Sequence, residues 1–206
     1  MSGAPLESPA VSDAIDMDSA RGGVIDDLVE IAEGPLPTIG LARTATVVNT
    51  TDPNIPGLAE YLDGAEPGDM LVLGWNAGHA SVFGGNAGMR SKAAGCVGLI
   101  TNGYVRDIDE LRATGLCVWA TGRSPRSGKG RLAVVAVGQP TKLGDQIVYD
   151  RDTVIADRTG ICVIAPESRD AVFHHAAELV ARDEQFRIAL AEGLTFAASR
   201  DHAKTM

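Results

Sequence analysis

The stretch from Gly84 to Glu110, GGNAGMRSKAAGCVGLITNGYVRDIDE, concentrates the residues whose types and spacing could do chemistry. A Gly-Gly turn opens a helical run there. A helix start presents free backbone N–H groups and the positive end of the helix dipole, a setting that accepts a carboxylate or a phosphate. Gly85 lacks a Cβ, which lets a ligand come close to the backbone. About twenty residues later stand Arg106 and Asp107. The guanidinium of Arg106 is a planar fork that pairs with a carboxylate through two hydrogen bonds. The carboxylate of Asp107 offers hard oxygens to Mg2+ or Mn2+. Side by side they could hold a 2-oxo acid and its metal, the arrangement that polarises a ketone for aldol cleavage or decarboxylation. On the residues alone, a surface ion pair at a helix start is the more ordinary reading of an Arg-Asp dipeptide.

These groups need elements to position them. Ser12–Asp16 reads as a short helix start with Ser12 as its cap, preceded by a loose arm over residues 1–10. Residues 41–50 are rich in β-branched types and predict a strand; 55–62 predict a helix; Met70–Leu73 is a short apolar run suited to a buried strand. A helix over 84–94, a strand over 96–101 and a short helix over 108–113 follow. Strands are expected at 117–120, 132–137 and 146–149, then a hairpin of 153–157 and 161–164 around Arg158-Thr159-Gly160. A long amphipathic helix over 167–190 ends near Gly193 and begins a helical tail, 167–206. Strands and helices alternate in the middle third and strands cluster later. The pattern predicts a single α/β domain, 1–206, with a mixed sheet whose strand ends carry the ligand.

Composition narrows the function. The 206 residues carry a formal net charge of -9, which excludes the basic face that nucleic acid requires and gives no attraction to a membrane. No apolar stretch reaches the ~20 residues of a membrane helix, and the N-terminus lacks the pattern of a signal peptide. Cys96, Cys117 and Cys162 sit in apolar surroundings and read as buried, reduced thiols, hence a cytoplasmic setting.

Several segments together resemble the RraA-like family, which includes class II 4-hydroxy-4-methyl-2-oxoglutarate/4-carboxy-4-hydroxy-2-oxoadipate aldolases and oxaloacetate decarboxylases. Gly85, twenty residues, Arg106-Asp107, two residues and Glu110 match its signature spacing. SDAID at 12–16, GLARTATV at 40–47, GDMLV at 68–72, GRSPR at 122–126 with Gly130-Arg131, and VIAD at 154–157 with GICVI at 160–164 are similar to further family segments. The resemblance implies a layered β/β/α fold of the swivelling-domain type, assembled as a homotrimer or a dimer of trimers with the active site between subunits. It implies a divalent-metal-dependent lyase acting on a small 2-oxo acid through a pyruvate enolate. Carried over, Arg106 and Asp107 are catalytic. Arg106 holds the substrate carboxylate, Asp107 anchors Mg2+ or Mn2+, and the amides of Gly85, Asn86, Ala87 and Gly88 complete the pyruvate pocket. Glu110, Asn102 and His79 are supporting candidates.

The sequence also departs from the pattern. The family's aldolases tend to carry Asp where Gly85 stands and other members carry Glu, Asn102-Gly103 replaces Asp-Gly, and Tyr149-Asp150-Arg151-Asp152 replaces Pro-Gly-Asp. The first two changes remove acids from the site and point to decarboxylation or an altered substrate. Two other roles stay open: an RraA-type regulator that binds an RNA-degrading endonuclease without catalysis, and a lyase recruited to a specialised pathway. Elsewhere, His79 could serve as an acid or base or be a loop histidine. The basic loop Arg123, Arg126, Lys129, Arg131 could form a lid or be solvated. His174 and His175 read as solvated or interface residues, and Glu178, Asp183 and Glu184 could reach a neighbour's site.

Overall fold

A computed structural model describes residues 6–52, 57–75 and 78–204. The chain opens with helix α1 (Ser8–Asp18), then strands β1 (Gly22–Ile25), β2 (Val29–Ala32) and the long β3 (Thr38–Asn49). Helix α2 (Leu58–Asp63), β4 (Asp69–Gly74), β5 (Ser81–Phe83), α3 (Gly85–Ala93), β6 (Gly98–Val105), α4 (Ile108–Thr114) and β7 (Cys117–Arg123) form the alternating middle. Strands β8 (Leu132–Val135), β9 (Thr141–Leu143), β10 (Gln146–Val148), β11 (Thr153–Ala156) and β12 (Ile161–Ile164) precede α5 (Arg169–Ala191) and α6 (Phe196–Lys204).

Ten strands form one mixed sheet in the order β1-β12-β11-β3-β4-β6-β7-β2, with β8 added to β3 and β5 to β6. The strands β3, β4, β6 and β7 run parallel to one another, and β11, β12 and β1 continue antiparallel from β3. Alternation along the central strands sends neighbouring side chains to opposite faces. Leu71, Leu73 and Leu99 pack with Tyr61, Leu62 and Leu111 from the helices α2 and α4. Met70, Val72 and Ile100 pack instead with Val154, Ala156, Ile161 and Val163. The antiparallel end therefore curls over the parallel strands. Ile155, Cys162 and Ile164 face outward onto α1 and α5. The expected β/β/α layering is present, with α1 and α5 adding a fourth, helical layer.

The predicted α/β class with a mixed sheet stands, and so does the 153–164 hairpin, whose strands pair antiparallel. The N-terminal expectation is corrected: residues 8–10 belong to α1, Pro9 sits in its first turn and Ser12 lies within it rather than capping it. Proline suits a first turn because its missing N–H has no intrahelical acceptor there. The hydroxyl and amide of Ser8 instead donate to Asp157 at 2.8 and 2.6 Å, which ties α1 to the β11–β12 turn. The predicted 55–62 helix begins at Leu58, with residues 55 and 56 outside the described residues. Strands β1, β2, β5 and β9 were not expected, whereas α6 falls within the expected helical tail.

The Tyr149–Asp152 segment is structural. Asp150 accepts from the Thr44 amide at 3.0 Å, Arg151 pairs with buried Asp69 at 2.9 Å, and buried Asp152 pairs with Arg21 at 3.1 Å. The Nδ1 of half-buried His175 lies 2.7 Å from Asp18 Oδ1 and joins α5 to α1. His174 is exposed and lies 3.5 Å from Glu178. All three cysteines are buried and free, as expected. Among the described residues, no helix is long and apolar enough to cross a membrane.

Candidate functional site

Strands β5 and β6 run parallel and end side by side, with Phe83 level with Val105. Each hands over directly to a helix, β5 through Gly84 into α3 and β6 through Arg106-Asp107 into α4. The Arg106 amide donates to the Phe83 carbonyl at 3.0 Å, which locks the two turns together. This is the strand-end position that the sequence pattern predicted for a ligand.

The turns are close-packed. A Cβ on Gly84 would stand 2.7 Å from Asp107 Oδ2 and 2.9 Å from Arg106 Cγ, so only glycine leaves room for the pair. Arg106 Nε lies 3.3 Å from Asp107 Oδ2, and the Gly85 amide donates to the same oxygen at 3.2 Å. Asp107 adopts left-handed backbone angles, φ 55 and ψ 51. Such angles are uncommon outside glycine, and Asp is one of the few side chains that tolerates them. Both side chains keep access to solvent, at 41% for Arg106 and 37% for Asp107.

Helix α3 has no side-chain cap at Gly84. Of its first amides, that of Gly85 is engaged by Asp107, whereas Asn86 and Ala87 line an adjacent cavity of about 370 Å³. Gly84, Arg106 and Asp107 line the same cavity. Its other walls come from far along the chain: Val47 of β3, Leu58 of α2, Val82 and Phe83 of β5, the loop 127–130, and Leu132 to Val134 of β8. The loop is moored by Ser81, whose amide and hydroxyl donate to the Arg126 carbonyl at 2.8 and 3.1 Å.

Gly85 and Gly88 do not line this cavity; they face α4. A Cβ on Gly85 would meet Glu110 Oε2 at 1.7 Å and Glu110 Cβ at 2.8 Å, and one on Gly88 would meet Leu111 Cδ2 at 2.7 Å. The room left at Gly85 is thus taken by the Glu110 side chain of this chain. Asn102 lies elsewhere, accepting from the Trp75 amide and donating to the Lys142 carbonyl at 3.3 Å, beside a second cavity. His79 is exposed, with its ring 5.3 Å from that of Tyr104, and is not a wall of the first cavity. Lys129 of the basic loop lines the cavity, while Arg123, Arg126 and Arg131 do not. Sequence reasoning missed the apolar wall. Its only local signal was the buried β-branched character of β3 and β8.

A mixed sheet wrapped into two β layers, with paired helix starts at the ends of β5 and β6, defines a class of α/β protein that places a cation fork, a carboxylate and free amides on one cavity. The chain belongs to the RraA-like family: the family model "RraA-like: Aldolase/RraA" matches residues 8–163. Protein DlpA of Legionella pneumophila is 24% identical over 197 residues, covering 94% of this chain and 32% of that protein. The Burkholderia mallei protein named "Putative 4-hydroxy-4-methyl-2-oxoglutarate aldolase" is 33% identical over 131 residues, 63% of this chain and 73% of that protein. The chain therefore spans about a third of DlpA, and 58% and 61% of two further relatives. Among solved structures, an uncharacterized protein from Pseudomonas syringae superposes with a TM-score of 0.84 at 21% identity, covering 94% of this chain and 92% of that one. Streptomyces coelicolor RraAS2, described as an unusual member of the RNase ES inhibitor RraA protein family, superposes at 0.80 with 22% identity over 88% and 92% of the two chains. These likenesses show the fold.

Proposed function

We propose that the chain is a divalent-metal-dependent carbon–carbon lyase acting on a small 2-oxo acid, by retro-aldol cleavage or decarboxylation. The observation that carries this reading is the convergence of Arg106, Asp107 and the first-turn residues Asn86 and Ala87 of α3 on one cavity. Arg106 supplies a fork for the substrate carboxylate, and the α3 amides supply further donors with the favourable end of a dipole. The carboxylate and the adjacent 2-oxo oxygen then lie next to Asp107.

The donor set fits a magnesium-type ion. Among the described residues no three His, Cys, Asp or Glu side chains gather into a metal cluster. Mg2+ characteristically keeps several waters and takes only one or two protein carboxylates, with the substrate supplying the rest. Asp107 is that carboxylate, its Oδ2 already steadied by Arg106 and Gly85. When bound, such an ion would polarise the ketone and stabilise developing enolate charge. The chain's own contribution is orientation. Arg106 fixes the carboxylate, and Gly84 permits the close packing of Arg106 and Asp107.

We further propose a homotrimer or a dimer of trimers in the cytoplasm, in keeping with the reduced thiols. A regulator that binds a ribonuclease is the second reading; the net charge of -9 suits a basic protein partner.

The test is pyruvate release from oxaloacetate and from 4-hydroxy-4-methyl-2-oxoglutarate, with Mg2+ and with a chelator. Asp107→Asn is the variant of choice, because Asn also tolerates left-handed angles and so keeps the turn. Chelator-sensitive turnover that the variant loses is the expected result. Arg106→Ala should raise KM by roughly ten- to a hundred-fold, the worth of about 1.5–3 kcal/mol for a charged hydrogen-bonded pair. Turnover that is unchanged by chelator and in Asp107→Asn would overturn the reading. A lack of turnover together with tight ribonuclease binding would establish the second.

A further inference from the structure

We infer that the substrate is a 2-oxo acid whose distal group is apolar, a branched or aromatic side chain rather than a second carboxylate. The inference rests on the proposed lyase site and deepens it. The cavity of about 370 Å³ has two unlike kinds of lining. Gly84, Arg106, Asp107 and the first residues of α3 suit one carboxylate with its neighbouring ketone. Val47, Leu58, Val82, Phe83, Leu132 and Val134 supply apolar wall. Of these, Val47, Val82, Phe83 and Val134 are buried and belong to one continuous core cluster.

Size and polarity both favour an apolar occupant. The cavity equals roughly a dozen water-sized volumes, about twice the six heavy atoms of a pyruvyl fragment. The remaining half therefore meets the distal group. The polar side chains beside this apolar wall are those of Ser81, Ser127 and Lys129, and the Ser127 hydroxyl oxygen already accepts from the Lys129 amide. The Ser81 hydroxyl is spent on the Arg126 carbonyl. Lys129 is the one further charged residue on the wall, and it is exposed on the turn before Gly130, with its amide bound to Ser127. A carboxylate pressed against Val47, Phe83 and Val134 would lose its water and gain no partner from those three side chains. An alkyl group gains there, roughly four-fold in affinity for each buried methylene.

The test measures binding rather than turnover, so that it is independent of the reaction. The full chain with Mg2+ is titrated calorimetrically with pyruvate, 4-methyl-2-oxopentanoate and 2-oxoglutarate. The expected order has 4-methyl-2-oxopentanoate at least ten-fold tighter than pyruvate, and 2-oxoglutarate no tighter than pyruvate. Leu58→Arg, a half-buried position at the start of α2, should reverse the order of 4-methyl-2-oxopentanoate and 2-oxoglutarate. A parent protein that prefers 2-oxoglutarate, or does not distinguish the alkyl acid from pyruvate, overturns this inference and leaves the 2-oxo acid site intact. Failure to bind any of the three overturns the lyase reading itself and the inference with it.

Discussion

Gly85→Ala tests how the site is built. Gly85 is the first residue of α3 and its φ is not in the left-handed region, so alanine meets no backbone penalty there. In solution terms the substitution should gain about 0.4–1 kcal/mol by restricting the unfolded chain. The structure opposes that gain. The new Cβ would lie 1.7 Å from Glu110 Oε2, 2.7 Å from Cδ and 2.8 Å from Cβ. The exposed carboxylate can swing away, but Glu110 Cβ is fixed to α4. Relief to an ordinary carbon–carbon contact of ~3.5 Å requires the helices to part by about half an ångström or more. Gly88 resists that parting, because α3 is also seated against Leu111 and Thr114. Overpacking of this kind costs about 1–3 kcal/mol. The net expectation is a loss of about 0.5–2 kcal/mol, read as a lowered midpoint in urea at unchanged m-value. Glu110→Ala removes the two nearer atoms, so the double variant should recover part of the loss, with a coupling of at least about 0.5 kcal/mol. A Gly85→Ala protein as stable as the parent, or more so, would refute the packing of Glu110 over Gly85. An Asp at 85 and Glu110 in its observed place exclude each other.

Further expectations follow from the same geometry. Asp107→Ala should be about 1 kcal/mol less stable than Asp107→Asn, since alanine lacks the tolerance of Asn for φ 55; paired denaturation curves measure the difference. For Asp157, burial alone would raise the carboxyl, but donors from Ser8, Thr159 and Gly160 outweigh it and hold it below the usual range. A depressed carboxyl adds stability above its unfolded value near ~3.9 and loses it as pH falls through the folded value, so Asp157→Asn should flatten the acid limb of the stability curve below about pH 4 and cost about 1.5–3 kcal/mol at neutral pH. Burial pushes the Cys96 and Cys117 thiols up to about 11 and Cys162 to about 12, so a thiol reagent at pH 8 should label none of them until denaturant is added.

Much of the fold was legible because local periodicity and turn chemistry are written in adjacent residues. The apolar runs at 70–73 and 96–101 suited buried strands, and Gly84-Gly85 and Arg106-Asp107 marked two helix starts. The Ile161–Ile164 hairpin arm was equally plain. The short strands β1, β2 and β9 were not: GGVI, VEIA and TKL carry no distinctive alternation and owe their conformation to the neighbours they pair with. Likewise, nothing local distinguishes a glycine that admits a ligand from one that admits a neighbouring helix. Gly85 proved to be the second kind because α4 returns over it. The apolar half of the cavity gathers Val47, Leu58, Phe83 and Val134 from segments up to 87 positions apart, arithmetic that only chain topology performs (134 − 47). What the residue types determined by themselves was the chemistry on offer, a fork and a carboxylate next to free amides. What the tertiary structure decided was the direction in which they face and the kind of surface opposite them, since those depend on contacts between elements that share no sequence neighbourhood.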